Sequence, residues 1–181
     1  MKSPATNAHV VATHIWPPNA PEPLSVEVLE LDWGGPVGDR HHGELMDSGT
    51  RQARAFPRGT RIRNHRQVSI VDVGELAQIA SALGIPRIDP GIIADNVCTN
   101  GFHGLTKLPA MSRIMFPSGA VIMVGGENYP CTISGSMLER AYGSRPESFP
   151  KAGMGLRGVT GWIERPGIVK PGDAITVLPP D

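Results

Sequence analysis

A mostly β, barrel-like fold with two or more short peripheral helices is predicted by three observations. Short strand-like runs recur along the chain. Turn signals built from proline and glycine separate them. One segment alone combines sustained helical periodicity with both a start and a stop signal. A βαβ array would need a helix between successive strands, and the pattern does not supply them.

The elements follow in chain order. Residues 1–8 lack apolar periodicity and are expected to be disordered, leaving 9–181 as a single domain. The run HVVATHIW, His9 to Trp16, reads as a first strand closed by Pro17 and Pro18. LSVEVLELDW, Leu24 to Trp33, alternates apolar and polar residues as a half-buried strand does. Residues 34–65 have no clean period. A loop that long inside a compact domain is expected to be functional or mobile.

RQVSIV, Arg66 to Val71, is a short strand. Asp72 is a helix N-cap, with Glu75 three residues on as an acidic capping-box partner. Leu76, Ile79, Ala80 and Leu83 then fall at helical spacing, and Gly84 and Pro86 end the helix. Strand-like runs follow in GIIADNVCTN, SRIMF, AVIMVGG, GVTGWIER and DAITVLP. SMLERAYG reads as a second helix, opened by a Ser136–Glu139 capping box and closed by Gly143. Residues 144–155 read as a loop.

Composition narrows the classes of function. The 181 residues include 22 glycines and 18 prolines, about a fifth of the chain against about an eighth in average usage. They are spread out, which suits many short elements. Lysine plus arginine and aspartate plus glutamate stand at 17 each. That balance argues against a dedicated nucleic-acid or membrane-surface binder. No secretory leader and no apolar run of membrane-spanning length is present, so a soluble cytoplasmic protein is expected. Two cysteines make no disulfide framework.

Three features carry chemistry. Cys131 lies a few residues upstream of a predicted helix start, where the positive end of the helix dipole favours a thiolate. Such a thiolate can act as a nucleophile, a persulfide carrier or a soft-metal ligand. The alternative is a small buried hydrophobe, the role assigned to Cys98. A run of arginines, Arg51, Arg54, Arg58, Arg61, Arg63 and Arg66, reads as a solvated edge or as a site for a phosphate-bearing ligand. In GDRHHG, one of His41 and His42 could line a pocket with Arg40, and His103 could join them. No nucleophile elbow, zinc-protease helix, Walker loop or dinucleotide-binding glycine pattern occurs.

Six pieces stand in order: VGDRHHG, RQVSIVDVGEL, DPGIIADNVCTNG, TKLP, VGGENYPC and GLRGVTGWIERPGIVKPGDAITVLP. Together they resemble the MOSC domain, the C-terminal domain of molybdenum-cofactor sulfurases that also occurs in free-standing bacterial proteins. The resemblance runs from Trp33 to Pro179 and implies a predominantly β, barrel-like fold. The family's characteristic cysteine matches Cys131. In members related to the mitochondrial amidoxime-reducing component it ligates molybdenum in a pterin cofactor, and in the wider family a persulfide role was proposed for it. Asn96 matches a recurrent asparagine, as a pterin-side or structural hydrogen-bonder, with Asp95 a conservative departure beside it. Arg66 and Arg157 match recurrent arginines, as candidates for the cofactor's phosphate or as salt-bridged structural groups. His41 matches a recurrent histidine.

The resemblance therefore implies molybdenum cofactor (molybdopterin) as the group bound, with Cys131 as metal ligand and catalytic residue. Reduction of N-hydroxylated compounds would draw electrons from a separate redox partner. The alternative is a sulfur carrier that takes a persulfide from a cysteine desulfurase. A third reading is a non-catalytic binding module. The family's pyridoxal-phosphate association finds no Schiff-base lysine here, so sulfur is expected to come from another protein.

Overall fold

The computed structural model describes residues 5–180. Among them, seven strands close a barrel: β1 (Ala5–Ile15), β2 (Val68–Asp72), β3 (Val97–Asn100), β4 (Arg113–Met115), β5 (Val121–Glu127), β6 (Val159–Arg165) and β7 (Ala174–Leu178). Neighbours around the barrel run β7-β4-β5-β6-β2-β3-β1, and β1 pairs back onto β7. Closure removes the free sheet edges that short strands would otherwise expose. Three short helices lie outside: α1 (Val73–Leu83), α2 (Thr132–Tyr142) and α3 (Phe149–Gly153).

All barrel pairings are antiparallel except β2 with β3. That parallel pair is joined through α1, a single βαβ unit in an otherwise antiparallel barrel. The unit explains the composition of β2, in which every residue is buried. Ile70 faces the barrel interior with Val97, Ile122 and Ile175. Val71 faces outward onto Leu76 and Ile79 of α1, together with Cys98, Leu138 and Phe149. A strand covered on both faces reads as a continuous apolar run instead of an alternating one.

Helix α1 forms as the sequence predicts. Asp72 caps it through Gly74 N–H at 2.9 Å, and Gly84 ends it at φ +68. Glu75, however, does not complete a capping box. Its buried carboxylate accepts instead from the backbone and hydroxyl of Thr106, at 3.0 and 2.6 Å.

Four expectations need correction. Of the segment expected to be disordered, residues 1–4 lie outside the described residues, but β1 already begins at Ala5. Its early residues pair with β7 (Ala5 opposite Thr176, His9 opposite Ala174), so backbone pairing with a distant strand orders a segment with no pattern of its own. The single strand expected over Leu24–Trp33 is two short ones, Leu24–Ser25 and Leu29–Asp32, in different sheets. In GIIADNVCTN only Val97–Asn100 is strand. Gly91 (φ +87) and Ala94 (φ +63) turn the chain before it, and both Asp95 carboxylate oxygens accept from Gly91 N–H. The loop expected over 144–155 holds a 3₁₀ turn at Pro146–Ser148 and then α3, anchored by fully buried Phe149.

The long irregular stretch is organised by one two-stranded ribbon, Leu45–Asp47 against Arg61–Arg63.

Candidate functional site

Cys131 is placed by a defect in β5. The register between β5 and β6 slips between Val124 and Gly126, so Gly125 is an extra residue. A side chain there would press on His65 O at 3.0 Å, and Gly126 takes φ +131, so both positions favour glycine. The bulge carries the chain out of the barrel through Asn128 and Tyr129 into α2. Helix α2 starts earlier than expected. Cys131 is itself the N-cap, extended at φ −143, and its carbonyl accepts the first helical bond from Gly135 at 3.2 Å. Ser136 is not a cap, because its hydroxyl bonds back to Thr132 O at 3.1 Å. Gly135 hid this first turn in the sequence. It sits inside the helix because a Cβ there would lie 2.2 Å from Pro146 O.

The Cys131 thiol is half-buried. Burial pushes its pKa up, but the backbone N–H groups of Ser134 and Ile133, the Ser134 hydroxyl and the Arg51 guanidinium outweigh that and hold it below the ordinary thiol value. None of these donors makes a fully formed capping bond to the sulfur, so their effect is chiefly on its charged form. Cys98 is the opposite case. It is fully buried, and burial followed by the charges of Asp95 and Asp72 drives its pKa upward. It is a packed apolar side chain.

A cleft of about 570 Å³ opens in front of Cys131, between the barrel end, α2 and the Leu45–Asp47 ribbon strand. Arg66, Arg157, Asn96 and His41 all line it with Cys131. The arginine run splits. Arg61 and Arg63 pair with Asp47 and Glu44 on the exposed ribbon, whereas Arg51 and Arg66 face the cleft. Arg51 donates to Tyr129 O at 2.8 Å, tying the long loop to the segment that carries Cys131.

Among the described residues neither Arg66 nor Arg157 makes an ion pair. Arg66 donates to Asn128 Oδ1 at 2.9 Å and reaches Thr160 Oγ1 at 3.4 Å. Burial, then repulsion from Arg51 and Arg157, pulls its pKa down to about 10, while the Cys131 charge opposes the fall. Arg157 is only 5% exposed. One of its terminal nitrogens donates to Ile93 O, and Nη1 has no hydrogen-bond partner. Its pKa is lowered, first by burial, against favourable charges on Asp95 and Cys131. Gly158 fixes its placement: at φ +78 its Cα lies so close to β2 that a Cβ would meet Ile70 O at 1.9 Å.

Asp39 organises the opposite wall. Its buried carboxylate accepts from Trp16 N–H (2.7 Å), His41 N–H (2.8 Å) and Asn96 Nδ2 (3.0 Å), and lies 3.1 Å from His41 Nδ1. Burial raises its pKa, but the His41 side chain and these backbone donors leave it lowered overall. Its contact with Nδ1 fixes the orientation of the His41 ring at the cleft wall. Asn96 spends both amide hydrogens inside the protein, on Asp39 and on His14 O (3.2 Å), and accepts from Ser69 N–H. Its side chain braces the wall of the cleft. His42 and Arg40 also line the cleft; His42 lies 2.8 Å from Asp32, and Arg40 stacks on Trp16 at 3.8 Å. His103 is exposed and lies outside it.

Asp39, Asn128 and Thr160 were not singled out in the sequence, although each orients a side chain that was. Asp39, in GDRHHG near His41, and Asn128, in GGENYPC near Cys131, each stood close to a residue that was. Among the described residues no three acidic, histidine or cysteine side chains gather as a metal site, and no helix is long and apolar enough to cross a membrane.

Comparison with known proteins agrees with this architecture. The pattern of the MOSC domain family matches residues 39–176. YuaD of Bacillus subtilis (strain 168), whose name gives metal-sulfur cluster biosynthesis as a provisional role, is 41% identical over 155 residues, covering 84% of this chain and 80% of that protein. The crystal structure of YuaD from Bacillus subtilis superposes with a TM-score of 0.89 at 38% identity, over 94% of each chain. YiiM from Geobacillus stearothermophilus shares the fold alone, with a TM-score of 0.66 at 12% identity over 94% of this chain and 75% of that one.

Proposed function

This chain belongs to the MOSC domain family, and from that premise we propose that it carries sulfane sulfur as a persulfide on Cys131, for delivery to a metal-containing cofactor. One observation carries the reading: Cys131 caps α2 at the mouth of a cleft, with its pKa held below that of an ordinary thiol. A thiolate is the form that attacks a sulfur atom. The role named for YuaD points the same way.

The step balances without an oxidant. The Cys131 thiolate attacks the outer sulfur of a donor persulfide, the Sγ–S bond forms, and the donor's S–S bond breaks. Its electron pair leaves on the donor as a thiolate. Ser134 N–H, Ile133 N–H and Arg51 stabilise the anion on Cys131 before attack and the persulfide anion after it. The half-buried position limits access by bulk thiols that would strip the sulfur. Incubation with a cysteine desulfurase and cysteine should add the mass of one sulfur atom to the wild-type chain. Equal loading of Cys131→Ser would sink the reading.

A second reading rests on a different observation. Arg66 and Arg157 are cations without ion-pair partners among the described residues, and Arg157 Nη1 is orphaned. The donor set fits an anionic pterin cofactor: Cys131 would be the protein's thiolate ligand and the two arginines would hold its phosphate. No other cluster of protein ligands converges there among the described residues, so the metal would bring the rest of its coordination with it. Bound there, a molybdenum centre would supply the two-electron chemistry that reduces an N-hydroxylated compound. The chain would orient substrate in the cleft, which His41 lines with its ring held by Asp39. Molybdenum and pterin content of protein from a cofactor-proficient host decides this reading, and their absence from folded protein counts against it.

A further inference from the structure

Resting on the sulfur-carrier reading, we propose that the cleft takes its sulfur from a thiosulfate-class donor, a molecule whose outer sulfur is bonded to an anionic sulfonyl group. Arg66 and Arg157 hold the oxyanion while Cys131 accepts the sulfur, which makes the chain a sulfurtransferase toward small anionic donors.

The first argument is an unfilled hydrogen-bonding demand. Arg157 is buried, makes no ion pair among the described residues although the buried Asp95 charge acts on it from beyond ion-pair distance, and leaves Nη1 without any acceptor. Buried charges in folded proteins are normally paired. Arg66 shares the same cleft wall and is likewise unpaired. Among the described residues the only carboxylate side chain lining the cleft is Asp47, which is exposed and already engaged by Arg61. The cleft therefore presents guanidinium groups, one with an unspent donor, to an incoming anion.

The second argument is electrostatic. A thiolate attacking thiosulfate brings an anion against a dianion, a repulsion that water must screen or cations must offset. Arg51, Arg66 and Arg157 line the same cleft as Cys131 and set three guanidinium charges against those three negative charges. A protein-bound persulfide departs as a single thiolate and gives the cleft's arginine pair no oxyanion to bind. Guanidinium forks match the oxygens of a tetrahedral oxyanion, as they do those of phosphate, through paired N–H donors.

In the step, the Cys131 thiolate attacks the outer sulfur of thiosulfate. The new Sγ–S bond forms as the donor's S–S bond breaks. The electron pair of that bond leaves with sulfite, and Cys131 keeps a persulfide anion. Cyanide can then take the outer sulfur as thiocyanate and regenerate the thiolate. Charge and atoms balance in both half-reactions.

The test uses the full chain with thiosulfate and cyanide, reading sulfite and thiocyanate together, and loads parallel samples from a cysteine desulfurase. The proposal expects equimolar sulfite and thiocyanate from wild type, and none from Cys131→Ser. Arg66→Gln and Arg157→Met should lose at least about tenfold in kcat/KM for thiosulfate, the effect of removing a charge-assisted bond to the ligand. Their loading from the desulfurase should fall by a smaller factor than their thiosulfate turnover. If Arg157→Met fails to fold, Arg66→Gln decides. Desulfurase loading without thiosulfate turnover overturns this proposal and leaves the carrier reading standing. Loading from neither donor overturns both. Wild-type thiosulfate turnover in Arg66→Gln overturns the arginine assignment.

Discussion

Replacing Arg66 by methionine should make this protein more stable while impairing its site. Burial and the neighbouring Arg51 and Arg157 lower the Arg66 pKa from the ordinary guanidinium value to about 10. At neutral pH the folded state therefore holds the charged form at a cost of roughly 3 kcal/mol relative to the unfolded chain. The sign follows from the direction of the shift. With the folded pKa depressed, the penalty is complete below about 10 and is relieved only as pH rises through the unfolded value. The R66M variant would lose that penalty and forfeit the bonds to Asn128 and Thr160, at about 1 kcal/mol each. The net gain is about 1 kcal/mol, which for a chain of this size raises the melting midpoint by about 2–4 °C. Anions give an independent readout. Sulfate or thiosulfate at about a hundred times its Kd should stabilise wild type by roughly 2.7 kcal/mol, and R66M by much less. Differential scanning calorimetry with and without anion checks both. A midpoint that falls in R66M, with an anion increment equal to that of wild type, would refute the reasoning.

Four further outcomes are expected. Alkylation of native protein by iodoacetamide should modify Cys131 alone, with a rate–pH midpoint below that of free cysteine, and Cys98 should react only after unfolding. Because the folded Cys131 pKa lies below the unfolded one, its contribution to stability is present above the unfolded value and lost as pH falls through the folded one. Gly135→Ala should destabilise despite a helix-propensity gain of about 1 kcal/mol, because the new Cβ would lie 2.2 Å from Pro146 O; urea unfolding reads the sign. Asp39→Ala should cost about 2–4 kcal/mol in the same assay, since it strands the N–H groups of Trp16, His41 and Asn96.

Local pattern made much of the barrel legible. Alternation and turn residues marked β4 to β7, and helical spacing between Asp72 and Gly84 marked α1. The misread elements share a cause. Ala5–Ala8 and Gly91–Ala94 take their conformation from a strand of the barrel and from the Asp95 carboxylate, and the first turn of α2 holds a glycine because Pro146 O leaves no room for a Cβ. The arginines were visible as a run, but nothing in the run distinguished Arg61, paired on the surface, from Arg66, unpaired in the cleft.

What the sequence determined by itself was local: which segments could pair as strands, where α1 begins and ends, and that a cysteine stood near the start of α2. What only the tertiary structure decided was convergence. Barrel closure through β1 and β7, the bulge at Gly125 and the left-handed turn at Gly158 bring Arg66 and Arg157 to line one cleft with Cys131. Strand register and close backbone approach set those placements, and neither leaves a periodic trace in the residues that converge.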